Sequence, residues 1–354
     1  MESTRSLSAQ APRSPGATLE ALIEDLFDYA GMYPPAALSF EEALQKSISF
    51  AAKATRPSIV HADLVLDVQN LTSLLSRIGG SDSPSPTSPS ESPFAGRAIR
   101  VALLGIPLKR ASHDGGLARG DRDPDFGALR SAYQLAKNLQ ILSYEVRLAP
   151  DILATTDVLK DTCRLLLEGM PDKRTVLAIE PDLSLPSWTA ALESCASVIS
   201  QLDSTFPRRL ALKIRGAGSA GSGSTGIDKQ RLVHVLRVVA LMQLPLKATA
   251  GLHHPILEPS RYDNVHGFLN LAVALMLTLA HGEKIPDSAL HACLSEEDPA
   301  AFTFGKTLCW RTWEISLEDI RAFRRLLPFS IGSCSLEEPD ADLVRLFGVG
   351  LLGT

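Results

Sequence analysis

Residues 210–251 read "LALKIRGAGSAGSGSTGIDKQRLVHVLRVVALMQLPLKATAG" and decide the fold. Two apolar stretches, 210–216 and 244–251, are typical of buried strands, and a helix-like segment occupies 228–243 between them. Strand, helix and strand in this order indicate a βαβ unit with parallel strands. The strand stretches are near-continuous apolar runs, as expected for a parallel sheet that is covered on both faces.

The same alternation extends along most of the chain. Further helix-like segments occupy 125–140, 187–202 and 316–327, and the last opens with Ser316 as a predicted N-cap, followed three residues later by Asp319. No glycine-rich dinucleotide turn follows the first predicted strand, so a (β/α)8 barrel of the TIM type is favoured over an open doubly wound sheet. The eight predicted strands are 58–68, 98–106, 141–149, 175–181, 210–216, 244–251, 302–310 and 328–336.

Three segments are expected to lie outside the regular structure. Residues 1–17 and the Ser/Pro-rich stretch 79–96 are predicted to be disordered, and the glycine-serine stretch 216–226 to be a flexible loop. Residues 19–53 are predicted to be helices added in front of the barrel. Residues 18–354 are expected to form a single barrel domain, in which 79–96 and 216–226 are loops.

Composition excludes several classes of protein. The net charge of −5 argues against a nucleic-acid surface, and five cysteines without a C-x-x-C pair indicate reduced thiols. The N-terminus has no apolar signal region, and the longest apolar run, 267–280, is shorter than the roughly 20 residues of a bilayer span. A cytoplasmic protein without a membrane partner is expected, and no pattern predicts its oligomeric state.

Polar residues collect at the predicted carboxyl ends of the strands, where barrel enzymes carry their chemistry. The candidate catalytic residues are Glu180, Lys213, Lys247, His253 and His254. The candidate substrate- or anion-binding residues are Arg215, Thr249, His266, Asn270, Gly332, Ser333 and Ser335. Asp28 and Tyr29, in "DYAGMYPPAAL", either reach this mouth or fix their segment onto the barrel.

Lys247 is the candidate nucleophile. Burial in an apolar strand and the nearby cations Lys213 and Arg215 would lower its pKa and supply the neutral amine that attacks a carbonyl. His253, His254 and Glu180 would then move protons. In the alternative interpretation, Lys213 pairs with Glu180 in a purely structural ion pair.

Three short motifs resemble those of deoxyribose-phosphate aldolase-type class I aldolases. They are "LKIR" (212–215), "LKATAG" (246–251) and "IGSCSL" (331–336), taken as the fifth, sixth and eighth strands. The resemblance implies that Lys247, as the sixth-strand lysine of a Lys-x-Ser/Thr-x-Gly motif, forms a Schiff base. It also implies that Lys213 is a modulating cation and that the Gly332 turn holds an anionic group.

The family has a further lysine on its seventh strand, followed by a Gly-Gly turn. Lys306 is the candidate here, and no Gly-Gly follows it. The whole chain also resembles a bacterial protein family through "DYAG…PPAAL", "KATAGLHHP" and "GSCS…EP", which implies no particular function.

The leading hypothesis is therefore a Schiff-base lyase for a small anionic carbonyl compound, with no cofactor and no bound metal. A second is metal-dependent lyase or hydrolase chemistry, in which His253, His254 or His266 would act with Glu180 or Asp182. A third is a barrel that binds a small anion through Lys213, Arg215 and the Gly332 turn without catalysis.

Overall fold

The structure is a computed structural model. It describes residues 16–55, 63–78, 99–105, 123–135, 138–153, 155–216, 226–261 and 266–353. Residues 79–96, and nearly all of 1–17 and 216–226, lie outside these ranges, so the predictions made for them stay predictions.

Eight parallel strands close into a barrel, which confirms the predicted fold class. Around the barrel, the eight strands follow one another in their order along the chain. Three short strands that do not belong to the barrel come just before its last strand in the sequence. The barrel strands are β1 (Phe27–Tyr29), β2 (Asp63–Asp67), β3 (Ile99–Leu104), β4 (Leu139–Arg147), β5 (Val176–Glu180), β6 (Leu210–Arg215), β7 (Leu246–Thr249) and β11 (Phe329–Ser333).

Helices alternate with these strands and cover the barrel. They are α1 (Ala17–Ile23), α2 (Phe40–Lys53), α3 (Val68–Ile78), α4 (Asp123–Leu135), α5 (Thr156–Gly169), α6 (Trp188–Asp203), α7 (Lys229–Met242), α8 (Phe268–His281), α9 (Asp287–Leu294), α10 (Leu317–Leu326) and α11 (Glu337–Phe347). Ser316 caps α10 as predicted, accepting a hydrogen bond from the Asp319 amide at 3.0 Å. Among the described residues, no helix combines the length and apolar character needed to cross a bilayer.

The prediction that 19–53 contains only helices in front of the barrel is wrong. Between α1 and α2, the three residues of β1 close the barrel, pairing with β11 on one side and with β2 on the other. Asp28 lies opposite Gly332 of β11 and opposite Asp63 of β2. A strand of three residues shows no periodicity of its own, so only its two partners define it.

The prediction that 302–310 forms a barrel strand is also wrong. This segment and the next residues form a separate antiparallel sheet of β8 (Phe302–Phe304), β9 (Thr307–Trp310) and β10 (Trp313–Ser316). Two-residue connections join these strands, whereas neighbouring parallel strands need a crossover of about a dozen residues. Lys213 therefore lies on the sixth barrel strand and Lys247 on the seventh, while Lys306 lies in the β8–β9 turn outside the barrel.

The strand residues alternate between two faces. In β6, Leu210, Leu212 and Ile214 belong to the hydrophobic core that packs against the helices, while Ala211, Lys213 and Arg215 occupy the other face. Bulky branched side chains fill the interior of most such barrels. Here small and charged residues take that place, and this gives the barrel a polar interior.

Replacing Phe27 tests whether β1 is an integral part of the barrel. Its ring is 3% exposed and contacts Phe268 edge to face, with ring centroids 5.1 Å apart. We expect Phe27→Ala to lower the free energy of unfolding by about 3–5 kcal/mol, measured by urea denaturation. Leu241→Ala is the control, because Leu241 is 83% exposed and its loss should cost less than about 0.5 kcal/mol. Equal effects of the two changes would mean that β1 is peripheral.

Candidate functional site

A chain of alternating charges crosses the barrel interior. Lys247 Nζ lies 2.7 Å from Asp28 Oδ2 and 2.5 Å from Glu145 Oε1. The other oxygen of Glu145 lies 2.9 Å from Lys213 Nζ, which is 2.8 Å from Glu180 Oε2. Arg215 Nε completes the chain, 3.2 Å from Glu180 Oε1. We call these six residues the ionic network.

The strand register brings the ionic network together. Lys213 and Lys247 are paired neighbours on β6 and β7, and Glu145 reaches both of them from β4, which only β5 separates from β6. Asp28 reaches Lys247 past β11, which presents Gly332 at this level. A Cβ on Gly332 would lie 3.0 Å from Thr249 Cγ2, so the glycine permits close packing here.

The ionic network balances three carboxylates against three cations. Burial alone would raise the pKa of Glu145, but Lys247 and then Lys213 outweigh it and hold this pKa at about 2. Burial likewise opposes the charge on Lys247, but Asp28 and Glu145 more than compensate and raise the pKa of Lys247 above its ordinary value. The predicted lowering of the Lys247 pKa is therefore wrong, because the sequence pattern omitted these two carboxylates.

A second ion pair lies beside the ionic network. Arg100 Nε on β3 is 2.9 Å from Asp63 Oδ1 on β2. Burial first, and then the negative charge of Asp28, raise the pKa of Asp63 well above its ordinary value.

Sequence reasoning missed Glu145, Asp63 and Arg100 as functional candidates, and it left open whether Asp28 reaches the site or only fixes its segment onto the barrel. In "LQILSYEVR" (139–147), the inward residues Ser143, Glu145 and Arg147 alternate with apolar ones, so a period of two was present. This alternating pattern was overlooked because the segment can also be interpreted as a continuous apolar run. Asp28 gave no such signal, since its strand spans only three residues.

Four of the predicted site residues belong to the ionic network: Glu180, Lys213, Arg215 and Lys247. At the carboxyl end of the strands, Glu180 and Arg215 line a small pocket of about 20 Å³ together with Asp182. The Asp182 carboxylate is 2.9 Å from Arg147 Nη2 and accepts a hydrogen bond from the Ser184 hydroxyl at 2.6 Å.

The two adjacent histidines face different partners. His254 Nδ1 lies 2.7 Å from Asp342 Oδ2 on α11. His253 Nδ1 lies 3.5 Å from Cys334 Sγ and 3.8 Å from Glu338 Oε2. Burial lowers the pKa of His253 and raises the pKa of the Cys334 thiol.

Backbone geometry explains how this loop leaves β7. Ala250 and Gly251 have φ values of +65° and +73°, so two successive left-handed residues turn the chain sharply. Glycine adopts this conformation readily, whereas an alanine there is strained. The turn directs His253 towards the end of the neighbouring strand β11.

The remaining predicted site residues form local hydrogen bonds. Buried His266 lies with Nε2 2.8 Å from the Ile227 carbonyl oxygen, and burial lowers its pKa. The Asn270 amide accepts from Leu257 N and donates to the Cys293 and Glu296 carbonyls, which ties the loop after β7 to α8 and α9. In the β11 turn, Ser333 Oγ donates to the Ser335 carbonyl at 2.6 Å, and Thr249 Oγ1 lies 3.4 Å from the Ile214 carbonyl.

A cavity of about 870 Å³ opens at the amino end of the strands and extends to Lys247 and Asp28. Small side chains leave this space, among them Ser143, Ala178 and Ala211. Several arginines lie at its rim. Among the described residues, no carboxylate forms an ion pair with three of these arginines. These three are Arg208, Arg321 and Arg325.

No protein-family model matches the chain, and no curated protein is significantly similar to it. The function must therefore be argued from the fold and the site.

Acid should destabilise the protein through Glu145. Its pKa is about 2 in the folded chain and 4.5 ordinarily, so its contribution to stability is complete above about pH 4.5 and is lost as the pH falls towards 2. We expect Glu145→Gln to cost about 3–5 kcal/mol at pH 7, because two lysines lose a shared carboxylate. The variant should also lose stability less steeply below pH 4.5. Urea unfolding at stepped pH measures both effects, and parallel pH profiles would contradict this assignment.

Proposed function

We propose that the protein is an amine-dependent lyase that acts on a small anionic carbonyl compound in the interior of the barrel. The observation that carries the proposal is that two buried lysines share one carboxylate, Glu145, within the ionic network. Schiff-base enzymes need a lysine, nearby groups that move protons, and charges that stabilise an iminium ion. The ionic network offers all three within hydrogen-bonding distance.

Lys213 is the proposed nucleophile, in place of Lys247. The aldolase resemblance puts the Schiff-base lysine on the sixth strand and a further lysine on the seventh, and the closed barrel has Lys213 and Lys247 at those positions. The Lys-x-Thr-x-Gly motif itself contains Lys247. However, Asp28 and Glu145 raise the pKa of Lys247, which suits a fixed cation better than an attacking amine.

The chemistry would begin with a proton transfer from Lys213 to Glu180, 2.8 Å away, while Glu145 stays ionised 2.9 Å from the same amine. The neutral amine then adds to the carbonyl carbon of the substrate, the carboxylic acid returns its proton to the carbinolamine hydroxyl group, and that group leaves as water to give an iminium ion. This ion carries the same single positive charge as the original ammonium group, so the two carboxylates stabilise both. In a substrate with a hydroxyl group on the β-carbon, loss of the hydroxyl proton to a carboxylate turns that carbon into the carbonyl group of the first product. The electron pair of the α–β carbon–carbon bond then moves into the iminium to give an enamine, which takes up a proton, and hydrolysis releases the second product and the lysine.

Arg215 is the proposed contact for the anionic group of the substrate. Its side chain is 34% exposed, whereas the two lysines are 6% exposed, and it lies at the carboxyl end next to Glu180. Barrel enzymes bind their substrates at this end. A guanidinium group that keeps free N–H donors can bind a carboxylate or phosphate.

Borohydride trapping tests the proposal. The native chain would be incubated with a panel of short anionic aldehydes and ketones, reduced, and mapped by peptide mass spectrometry. We expect an adduct on Lys213 that disappears in Lys213→Arg, a change that keeps the charge balance of the ionic network. Lys46→Arg is the control, since Lys46 is an exposed lysine of α2. An adduct on Lys247 would reassign the nucleophile, and no adduct with any compound on folded protein would refute the lyase proposal.

The amino-end cavity favours a second function, the binding of a small anion without catalysis. Its volume of about 870 Å³ suits a small molecule, and its rim carries several arginines. Guanidinium groups bind carboxylates and phosphates with paired N–H donors. This function requires no reaction at the lysines.

Calorimetric titration with citrate and with inorganic phosphate measures such binding. We expect the double change Arg208→Ala and Arg325→Ala to weaken binding at least tenfold, because both guanidinium groups line the cavity. Arg164→Ala, on the outer surface of α5, should leave it unchanged. Binding that is equally tight in both variants would place the anion elsewhere.

A further inference from the structure

We propose that His253, Cys334 and Glu338 form a binding site for one zinc-type transition-metal ion at the carboxyl end of β7 and β11. One ligand atom from each residue can be chosen so that all three lie within 4.8 Å of one another. They offer an imidazole nitrogen, a sulfur and a carboxylate oxygen. This proposal is independent of the amine chemistry, since no residue of the ionic network takes part in it.

The distances suit a single tetrahedral ion. His253 Nδ1 lies 3.5 Å from Cys334 Sγ and 3.8 Å from Glu338 Oε2. Bonds of about 2.0–2.3 Å in tetrahedral geometry separate ligand atoms by roughly 3.3–3.8 Å. The third pair, Cys334 Sγ and a Glu338 carboxylate oxygen, lies within 4.8 Å, so the 54% exposed Glu338 side chain would have to move by up to about 1 Å towards Cys334 to complete this geometry.

The fold explains why these residues meet. Strands β7 and β11 are parallel neighbours, so the segments that follow them leave the barrel side by side. Cys334 directly follows β11, and Glu338 lies in the first turn of α11. The left-handed turn at Ala250 and Gly251 brings His253 to this point from β7.

The neighbouring histidine does not compete for the ion. His254 Nδ1 lies 2.7 Å from Asp342, and the same carboxylate lies 2.7 Å from Arg345. Ser333 Oγ donates its hydrogen to the Ser335 carbonyl, so this hydroxyl is also engaged. The proposed ligands are therefore one histidine, one cysteine and one glutamate, which leaves a fourth coordination position open.

The donor types indicate which ion would bind. A cysteine sulfur and an imidazole nitrogen favour Zn²⁺ and its relatives over Mg²⁺ and Ca²⁺, which prefer oxygen ligands. Three protein ligands with an open position are typical of catalytic zinc sites, where the fourth ligand is water or substrate. The half-exposed Glu338 puts that position within reach of solvent.

Titration with Co²⁺ tests the site, because a cobalt–thiolate bond gives a charge-transfer absorption band. Chelator-treated full-length protein without a histidine tag would be titrated with Co²⁺ and then with Zn²⁺. We expect one equivalent of Co²⁺ to produce the band and Zn²⁺ to abolish it by displacement. Cys334→Ser should remove the band, and His253→Gln and Glu338→Gln should weaken binding at least tenfold.

Two matched variants serve as controls. Cys309→Ser, on β9, and His291→Gln, an exposed residue of α9, should both keep the band, since neither residue belongs to the site. In the native chain, one equivalent of Zn²⁺ should also protect Cys334 from alkylation, a measurement that needs no variant to fold. Absence of the band in native protein, or its persistence in Cys334→Ser, would overturn the proposal.

Discussion

The position of Glu145 between two ammonium groups is the interaction on which the interior of this barrel depends. A carboxylate that is removed from water pays a large desolvation cost, and only close cations recover it. Lys213 and Lys247 do so from two adjacent strands, while Glu180 and Asp28 in turn compensate these lysines. No member of the ionic network can change its charge alone, so the protonation of any one residue is coupled to that of the others.

The same charges explain why the barrel is not filled in the usual way. Bulky branched side chains in the interior would separate the lysines from their carboxylates, and alanine, serine and glycine leave the necessary room. The cost is a cavity of about 870 Å³ on the amino side. Apolar burial is instead concentrated between the outer face of the strands and the helices, as in α8, where every residue from Phe268 to Thr278 is buried.

The sequence was sufficient for the fold class and for four members of the ionic network, because the long helices have a clear period and the strands that carry these four residues are conspicuous apolar runs. It was insufficient where a feature depends on a distant partner. Strand β1 exists through its pairing with β2 and β11, and the charge on Lys247 is fixed by Asp28 and Glu145 from other strands. The error at 302–310 was avoidable, since Gly305 and Lys306 make too short a connection for parallel strands.

Strands β7 and β11 connect the ionic network with the His253–Cys334–Glu338 cluster. Lys247 lies opposite Ser330 in the paired strands, and the segments that contain His253 and Cys334 follow at their carboxyl ends. His254 fixes the position of its neighbour, because its contact with Asp342 attaches the loop to α11, the helix that carries Glu338. The adjacent histidines therefore have separate tasks: one attaches the loop, and the other faces the cluster. One short loop thus contributes both an attachment to α11 and a residue of the proposed metal site.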